Sequence, residues 1–103
     1  MKTINIDKLH TLFLDNPESI IDIREKEAFS KEHIPGSKNI PYRLLKTRLN
    51  EIPKEENIYV ICEKGGLSIG ATTLLSLNGV SACCVSPGGV IHWKEKGFPI
   101  SAS

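Results

Sequence analysis

Two rhythms alternate along the chain. Short continuous apolar runs, Ile20-Ile21 with Ile23 and Ile58-Tyr59-Val60-Ile61, are separated by stretches in which apolar residues recur every three or four positions. The runs read as strands covered on both faces, and the spaced stretches as helices packed along one side. Thr3-Ile4 is a short apolar start. Asn5 is placed to cap a helix whose residues Ile6, Leu9, Leu12 and Phe13 share a face, and Asp15-Asn16-Pro17 ends it. Ser19 to Arg24 is the second strand. Asp22 and Arg24 lie two apart at its C-terminal end, so they fall on one face and read as ties between the strand end and a neighbouring loop. Glu25 to Lys31 is a brief charged helix, and His33-Ile34-Pro35-Gly36 is a turn. Ser37 to Pro41 is a short third strand, with Pro41 suited to its end. Tyr42 to Ile52 is helical with Leu45, Leu49 and Ile52 inward, and Pro53 stops it.

The fourth strand runs straight into Cys62, and Glu63-Lys64-Gly65-Gly66 leads from it to a new helical pattern. Leu67, Gly70, Ala71, Leu74 and Leu75 stand at i, i+3, i+4, i+7 and i+8, which predicts them as the buried stripe of that helix. Asn78-Gly79 ends it. Val80 to Val85 is a strand of small residues, Pro87-Gly88-Gly89 a turn, and Val90 to Lys96 a final helix carrying Trp93 as a core residue. Strands and helices in strict alternation, with short connections, predict one α/β domain over residues 1–103. Its sheet is mainly parallel, with helices on both faces. In such sheets ligands bind beyond the C-terminal ends of the strands, which is where Cys62 stands.

Composition narrows the classes. A chain of 103 residues, 40% hydrophobic and 24% charged, has the makeup of one ordinary globular core. The formal net charge is +1 with no basic run, which gives nucleic acid no electrostatic support. No segment is apolar enough to span a membrane, and the first residues lack the pattern of a signal peptide. Three cysteines without framework spacing suit a reducing, cytoplasmic setting. No histidine stands at metal-ligand spacing, so neither a metal nor a cofactor is expected.

The candidate chemistry lies between the strand end and the helix. Gly65 and Gly66 let the backbone curl with its N–H groups inward, an arrangement that cradles an anion and favours a thiolate over a thiol at Cys62. Ser68 is placed to donate toward the sulfur or to cap the helix. Lys64 is the cation at the mouth, and Glu63 must turn outward, because a carboxylate facing the sulfur would oppose a thiolate. Cys83 and Cys84 are adjacent on a strand, so they face opposite sides and read as packing residues. A phosphatase loop would need an arginine where Ser68 stands, and a thioredoxin-like site would need two cysteines flanking two residues; neither occurs.

Three stretches together resemble the single-domain rhodaneses: Ile21-Asp22-Ile23-Arg24 with His33-Ile34-Pro35-Gly36-Ser37 and Ile40-Pro41; Cys62 through Ser68; and Gly88-Gly89-Val90-Ile91-His92-Trp93 with Gly97-Phe98-Pro99. The resemblance implies a three-layer α/β/α fold around a five-stranded, mainly parallel sheet. It also implies a sulfurtransferase that carries sulfane sulfur as a persulfide on Cys62. Glu63, Lys64, Gly65, Gly66, Leu67 and Ser68 would then bind substrate, with Asp22 and Arg24 in support. The implied partners are a small sulfur anion such as thiosulfate, or a persulfide or polysulfide donor, and a thiol, cyanide or protein acceptor. The loop differs from the commonest family pattern at Leu67, where many relatives carry arginine, and at Glu63. Those two positions also suit a second reading, a non-catalytic module of the same fold that binds a protein partner or a small anion.

Overall fold

A computed structural model describes residues 1–102. Five strands, β1 (Thr3–Ile4), β2 (Ile20–Asp22), β3 (Lys38–Asn39), β4 (Asn57–Ile61) and β5 (Ser81–Val85), form one sheet in the order β1-β5-β4-β2-β3. Every neighbouring pair is parallel, with Asp22 beside Ile61 and Val60 beside Cys84. Four α-helices accompany them: α1 (Ile6–Phe13), α2 (Lys26–Lys31), α3 (Leu67–Leu77) and α4 (Val90–Glu95). Asn5 caps α1 as predicted, its side-chain oxygen accepting from the Lys8 N–H at 2.8 Å.

The two sheet faces bury separate clusters. On one, α3 and the segment Tyr42–Glu51 close over Ile21, Ile23, Ile58, Val60 and Cys62. On the other, α1 and α4 close over Ile20, Ile61 and Val85, with Trp93 and Phe13 between them. This is the expected three-layer arrangement. Alternation along β4 sends Ile58 and Val60 to one face and Tyr59 and Ile61 to the other. Cys83 and Cys84 divide in the same way, as predicted.

Two details differ from the sequence reading. Tyr42–Glu51 is a 3-10 helix kinked at Arg48, not a regular α-helix, although Leu45 and Ile52 are buried as expected. The buried stripe of α3 is also rotated. Its buried residues are Ser68, Ala71, Thr72 and Leu75, whereas Leu67 is 60% exposed. Two polar residues tolerate this burial because their hydroxyls are bonded: Thr72 donates to the Ser68 carbonyl at 2.6 Å, and Ser68 to the Gly65 carbonyl at 3.1 Å. Gly70 also lies close to the Tyr42 hydroxyl, an approach that any side chain at position 70 would block.

The order of strands creates a switch point. From β2 the chain passes outward to β3; from β4 it passes the opposite way to β5. The ends of β2 and β4 are therefore neighbours from which connections diverge, the place where parallel sheets open a crevice. Asp22 and Arg24 arrive there from one strand, Cys62 and Glu63 from the other.

Trp93 plugs the α1–α4 layer. It is fully buried, its indole N–H donates to the Pro99 carbonyl at 2.7 Å, and Phe13 and Phe98 meet it edge-on. Trp93→Ala should cost about 3–5 kcal/mol, as large aromatic truncations in cores do. The shift of the urea unfolding midpoint measures it; a loss of about 1 kcal/mol or less would show that the plug contributes little.

Candidate functional site

Cys62 follows the last residue of β4 and is only 2% exposed. Its sulfur accepts one backbone hydrogen bond, from the Gly65 N–H at 3.1 Å. The convergent N–H groups expected from the sequence thus reduce, among the described residues, to this one direct donor. The bond requires the chain to double back within three residues. Gly65 does so with φ +107°, a region that L side chains rarely adopt. A Cβ there would also lie 2.9 Å from the Gly88 carbonyl oxygen. Gly66 precedes the first turn of α3, which no side chain caps.

The loop leans on the start of α4. The Val90 N–H donates to the Cys62 carbonyl at 2.9 Å and the Ile91 N–H to the Glu63 carbonyl at 3.2 Å. An N-terminal helix turn has free N–H groups, and here the loop supplies their acceptors. The approach is so close that a side chain on Gly89 would run into both carbonyl groups.

On the other side stands Arg24, nearly buried at 8% exposure. Its Nε donates to both Asp22 carboxylate oxygens, at 3.0 and 3.1 Å, and its Nη2 to Oδ2 at 2.7 Å. Nη2 also donates to the Glu32 carbonyl at 2.7 Å, and Nη1 to Glu63 Oε1 at 3.2 Å. Burial opposes the guanidinium's charge, but the bonds to Asp22 and the charges of Asp22 and Glu63 outweigh it and push its pKa up. Asn39 adds a tie from β3, its side-chain N–H groups donating to the Asp22 and Arg24 carbonyls at 3.0 and 2.9 Å. Asp22 and Arg24 thus tie the strand end to the loop, as their spacing suggested. The Glu63 carboxylate, half exposed, is bonded to Arg24 rather than to the sulfur.

Ser68 departs from both roles predicted for it. Its hydroxyl neither reaches the Cys62 sulfur nor caps α3. It donates to the Gly65 carbonyl, lies 3.3 Å from the Cys84 sulfur and 3.4 Å from the Val85 carbonyl, and is fully buried. A buried stripe displaced by one residue from the predicted one carries it under the loop, while Leu67 takes the exposed rim. Lys64 is exposed and makes no ion pair among the described residues. A cleft of about 380 Å³, lined by Arg24, Glu32, Glu63, Val90, Ile91 and Lys94, opens beside the loop on the α4 side.

The sequence reading overlooked four contributors. Asn39 carried no signal. Gly88 and Gly89 were visible as a turn but not as the backing of the loop. Cys84 read as packing, and its place beside Ser68 depends on strand register. Among the described residues no group of three or more His, Cys, Asp and Glu side chains gathers as a metal site. None of the described helices is long and apolar enough to cross a membrane.

Comparison with known proteins identifies the family and the fold. Residues 5–96 match the rhodanese-like domain family. The chain is 31% identical over 83 residues to a sulfurtransferase of Allochromatium vinosum, covering 81% of this chain and 78% of that one. It is 30% identical to thiosulfate sulfurtransferase 16, chloroplastic, of Arabidopsis thaliana, covering 97% of this chain and 92% of that one. Two further relatives are much longer, and the chain spans 22% and 46% of them. A crystal structure of a rhodanese-like domain protein from Staphylococcus aureus superposes with a TM-score of 0.89 at 32% identity, covering 100% of this chain and 99% of that one. With its sheet order, its cysteine at the switch point and these relatives, the chain belongs to the rhodanese-like family, alongside members named as sulfurtransferases.

Proposed function

We propose that the protein is a sulfurtransferase that carries sulfane sulfur on Cys62. The observation that supports this best is the Gly65 N–H directed at a nearly buried sulfur between β4 and α3. In the first step the Cys62 thiolate attacks the outer sulfur of thiosulfate or of a persulfide. The donor's sulfur–sulfur bond breaks, its electron pair leaves with sulfite or with the donor thiolate, and Cys62 becomes a persulfide. In the second step a thiolate or cyanide attacks the outer sulfur and returns Cys62 as thiolate. When Cys62 attacks as the thiolate, the Gly65 N–H donates to the anionic sulfur, a charge-assisted bond stronger than a neutral one. Glu63 does not oppose that charge from within the loop, because Arg24 holds its carboxylate.

Lys64 recruits anionic donors from the rim. A single exposed charge contributes modestly, and Leu67, 60% exposed, adds none. That apolar rim favours the second reading, a module that holds a partner or small anion without turnover. The site would then bind through Leu67 and Lys64, with Cys62 as a packing residue.

Four measurements check the proposal. Mass spectrometry of the protein after incubation with thiosulfate should show a gain of one sulfur on Cys62, and Cys62→Ser should abolish transfer to cyanide. Undiminished transfer by that variant would refute the enzyme reading. Lys64→Ala should lower kcat/KM for thiosulfate by about two- to five-fold, the worth of an exposed charge interaction, and leave an uncharged persulfide donor unaffected. Equal losses with both donors would remove Lys64 from donor recruitment. Gly65→Ala should slow alkylation of Cys62 at neutral pH by about ten-fold or more, the loss of a hydrogen bond to a charged acceptor. An unchanged rate, resolved by peptide mass spectrometry from Cys83 and Cys84, would show that the Gly65 N–H does not support the thiolate.

A further inference from the structure

The start of α4 is held by a side chain with no part in the chemistry above. His92, two residues into the helix from Val90, turns its ring back so that Nδ1 accepts the Gly89 N–H at 3.1 Å. A carboxylate or amide commonly fills this place in a helix N-terminus, receiving the backbone N–H of the residue that precedes the helix. The three following donors are also engaged. Val90 and Ile91 donate to Cys62 and Glu63, and the His92 N–H donates to the Gly89 carbonyl at 3.0 Å. The ring therefore completes the set of bonds by which α4 meets the loop.

It also packs against the turn that backs the loop. A Cβ on Gly88 would lie 3.1 Å from Nδ1, and the Gly88 carbonyl would lie 2.9 Å from a Cβ on Gly65. The line of close packing thus runs from the His92 ring through Gly88 to Gly65, the residue whose N–H reaches the Cys62 sulfur.

This arrangement works only with an unprotonated Nδ1. In the imidazolium both nitrogens are donors, so Nδ1 would present a proton to the Gly89 N–H and the bond would be lost. The added positive charge would also sit at the helix end where the backbone N–H groups already concentrate positive charge. No neighbouring group offsets this. Asp7 of α1 and Lys96 of α4 line the same hollow as the ring, but they pair with each other at 3.0 Å. On the loop side Glu63 is paired with Arg24, and further along α4 Lys94 is paired with Glu32. Lys64 is exposed at the rim, and Glu95 is exposed on α4.

We propose that His92 is a positioning residue: its neutral ring holds the Gly88–Gly89 turn and the start of α4 against Cys62 and Glu63, and its protonation releases the loop while the domain stays folded. The effect on rate rests on the sulfur-transfer reading; the effect on the backbone does not.

The test compares the full chain with His92→Gln and His92→Ala. Glutamine can accept the Gly89 N–H and does not titrate. Persulfide formation from thiosulfate is followed from about pH 8 to about pH 5.5. Taking the ratio of wild type to His92→Gln at each pH cancels the ionisation of Cys62. The ratio should be near one at the alkaline end and fall at least about three-fold at the acid end, the lower range of what a lost helix cap costs. His92→Ala should be slower than both at the alkaline end. A ratio that stays constant overturns the proposal.

Amide hydrogen exchange of Val90 and Ile91 gives an answer that needs no turnover. At the acid end these amides should exchange faster in wild type than in His92→Gln, with the Val60 amide of β4 equally protected in both. Equal exchange at Val90 and Ile91, or parallel loss at Val60, also overturns the proposal. If no persulfide forms in any variant, the sulfur-transfer reading fails and the exchange result alone decides the role of His92.

Discussion

A strand that ends in the middle of a sheet leaves the backbone groups beyond it without a ladder. For β4 those groups are the carbonyls of Cys62 and Glu63, and burying them unpaired would cost about 1–3 kcal/mol each. The first N–H groups of α4 meet them, at 2.9 and 3.2 Å. One set of bonds satisfies both the loop and the helix end. It also imposes a requirement far along the chain: Gly89 must lack a side chain, because its Cα lies against both peptide groups. The centre of the sheet and the last turn-helix unit are therefore one structural device. The aromatic layer of Trp93, Phe13 and Phe98 sets where α4 lies, and so sets where the loop is held.

A second restraint acts on the same residue from β2. Arg24 is immobilised by Asp22 and by the Glu32 carbonyl, and it presents its remaining edge to the Glu63 carboxylate. Glu63 is therefore pinned twice, through its carbonyl by α4 and through its side chain by Arg24. Beneath the loop, Ser68 fixes the Gly65 carbonyl against the end of β5. Cys62 is thus framed on several sides by groups that do not react. Lys64 and Leu67 stand exposed at the rim and take no part in this frame. This separation explains how a loop with leucine at its rim keeps the Gly65 N–H on the Cys62 sulfur.

Much of the architecture was legible because it follows from local periodicity. Apolar runs and three-to-four spacings marked the strands and helices, and the short connections between them left a parallel sheet as the economical topology. Asn5 announced its helix correctly, and the cysteine between a strand and two glycines pointed to a candidate site. The misreadings share one cause. Hydrophobicity alone places Leu67, rather than Ser68 and Thr72, in the buried stripe of α3. Burial of those hydroxyls is tolerable only because partners in the Gly65 and Ser68 carbonyls and at the end of β5 receive them. The 3-10 geometry of Tyr42–Glu51 is likewise absent from a pattern that reads only which side faces inward.

The sequence by itself determined the class of fold, the order of elements and the place of Cys62 at a strand end, since each depends on residues close together in the chain. Only the tertiary structure decided which groups surround that cysteine. Arg24 meets Glu63 because β2 and β4 are neighbours at the switch point. Cys84 lies beside Ser68 because β5 follows β4 in register. Gly89 and His92 reach the loop because α4 folds back across the sheet. These pairings join residues far apart in sequence. Strand order and close packing bring them together, and neither is encoded in any single stretch.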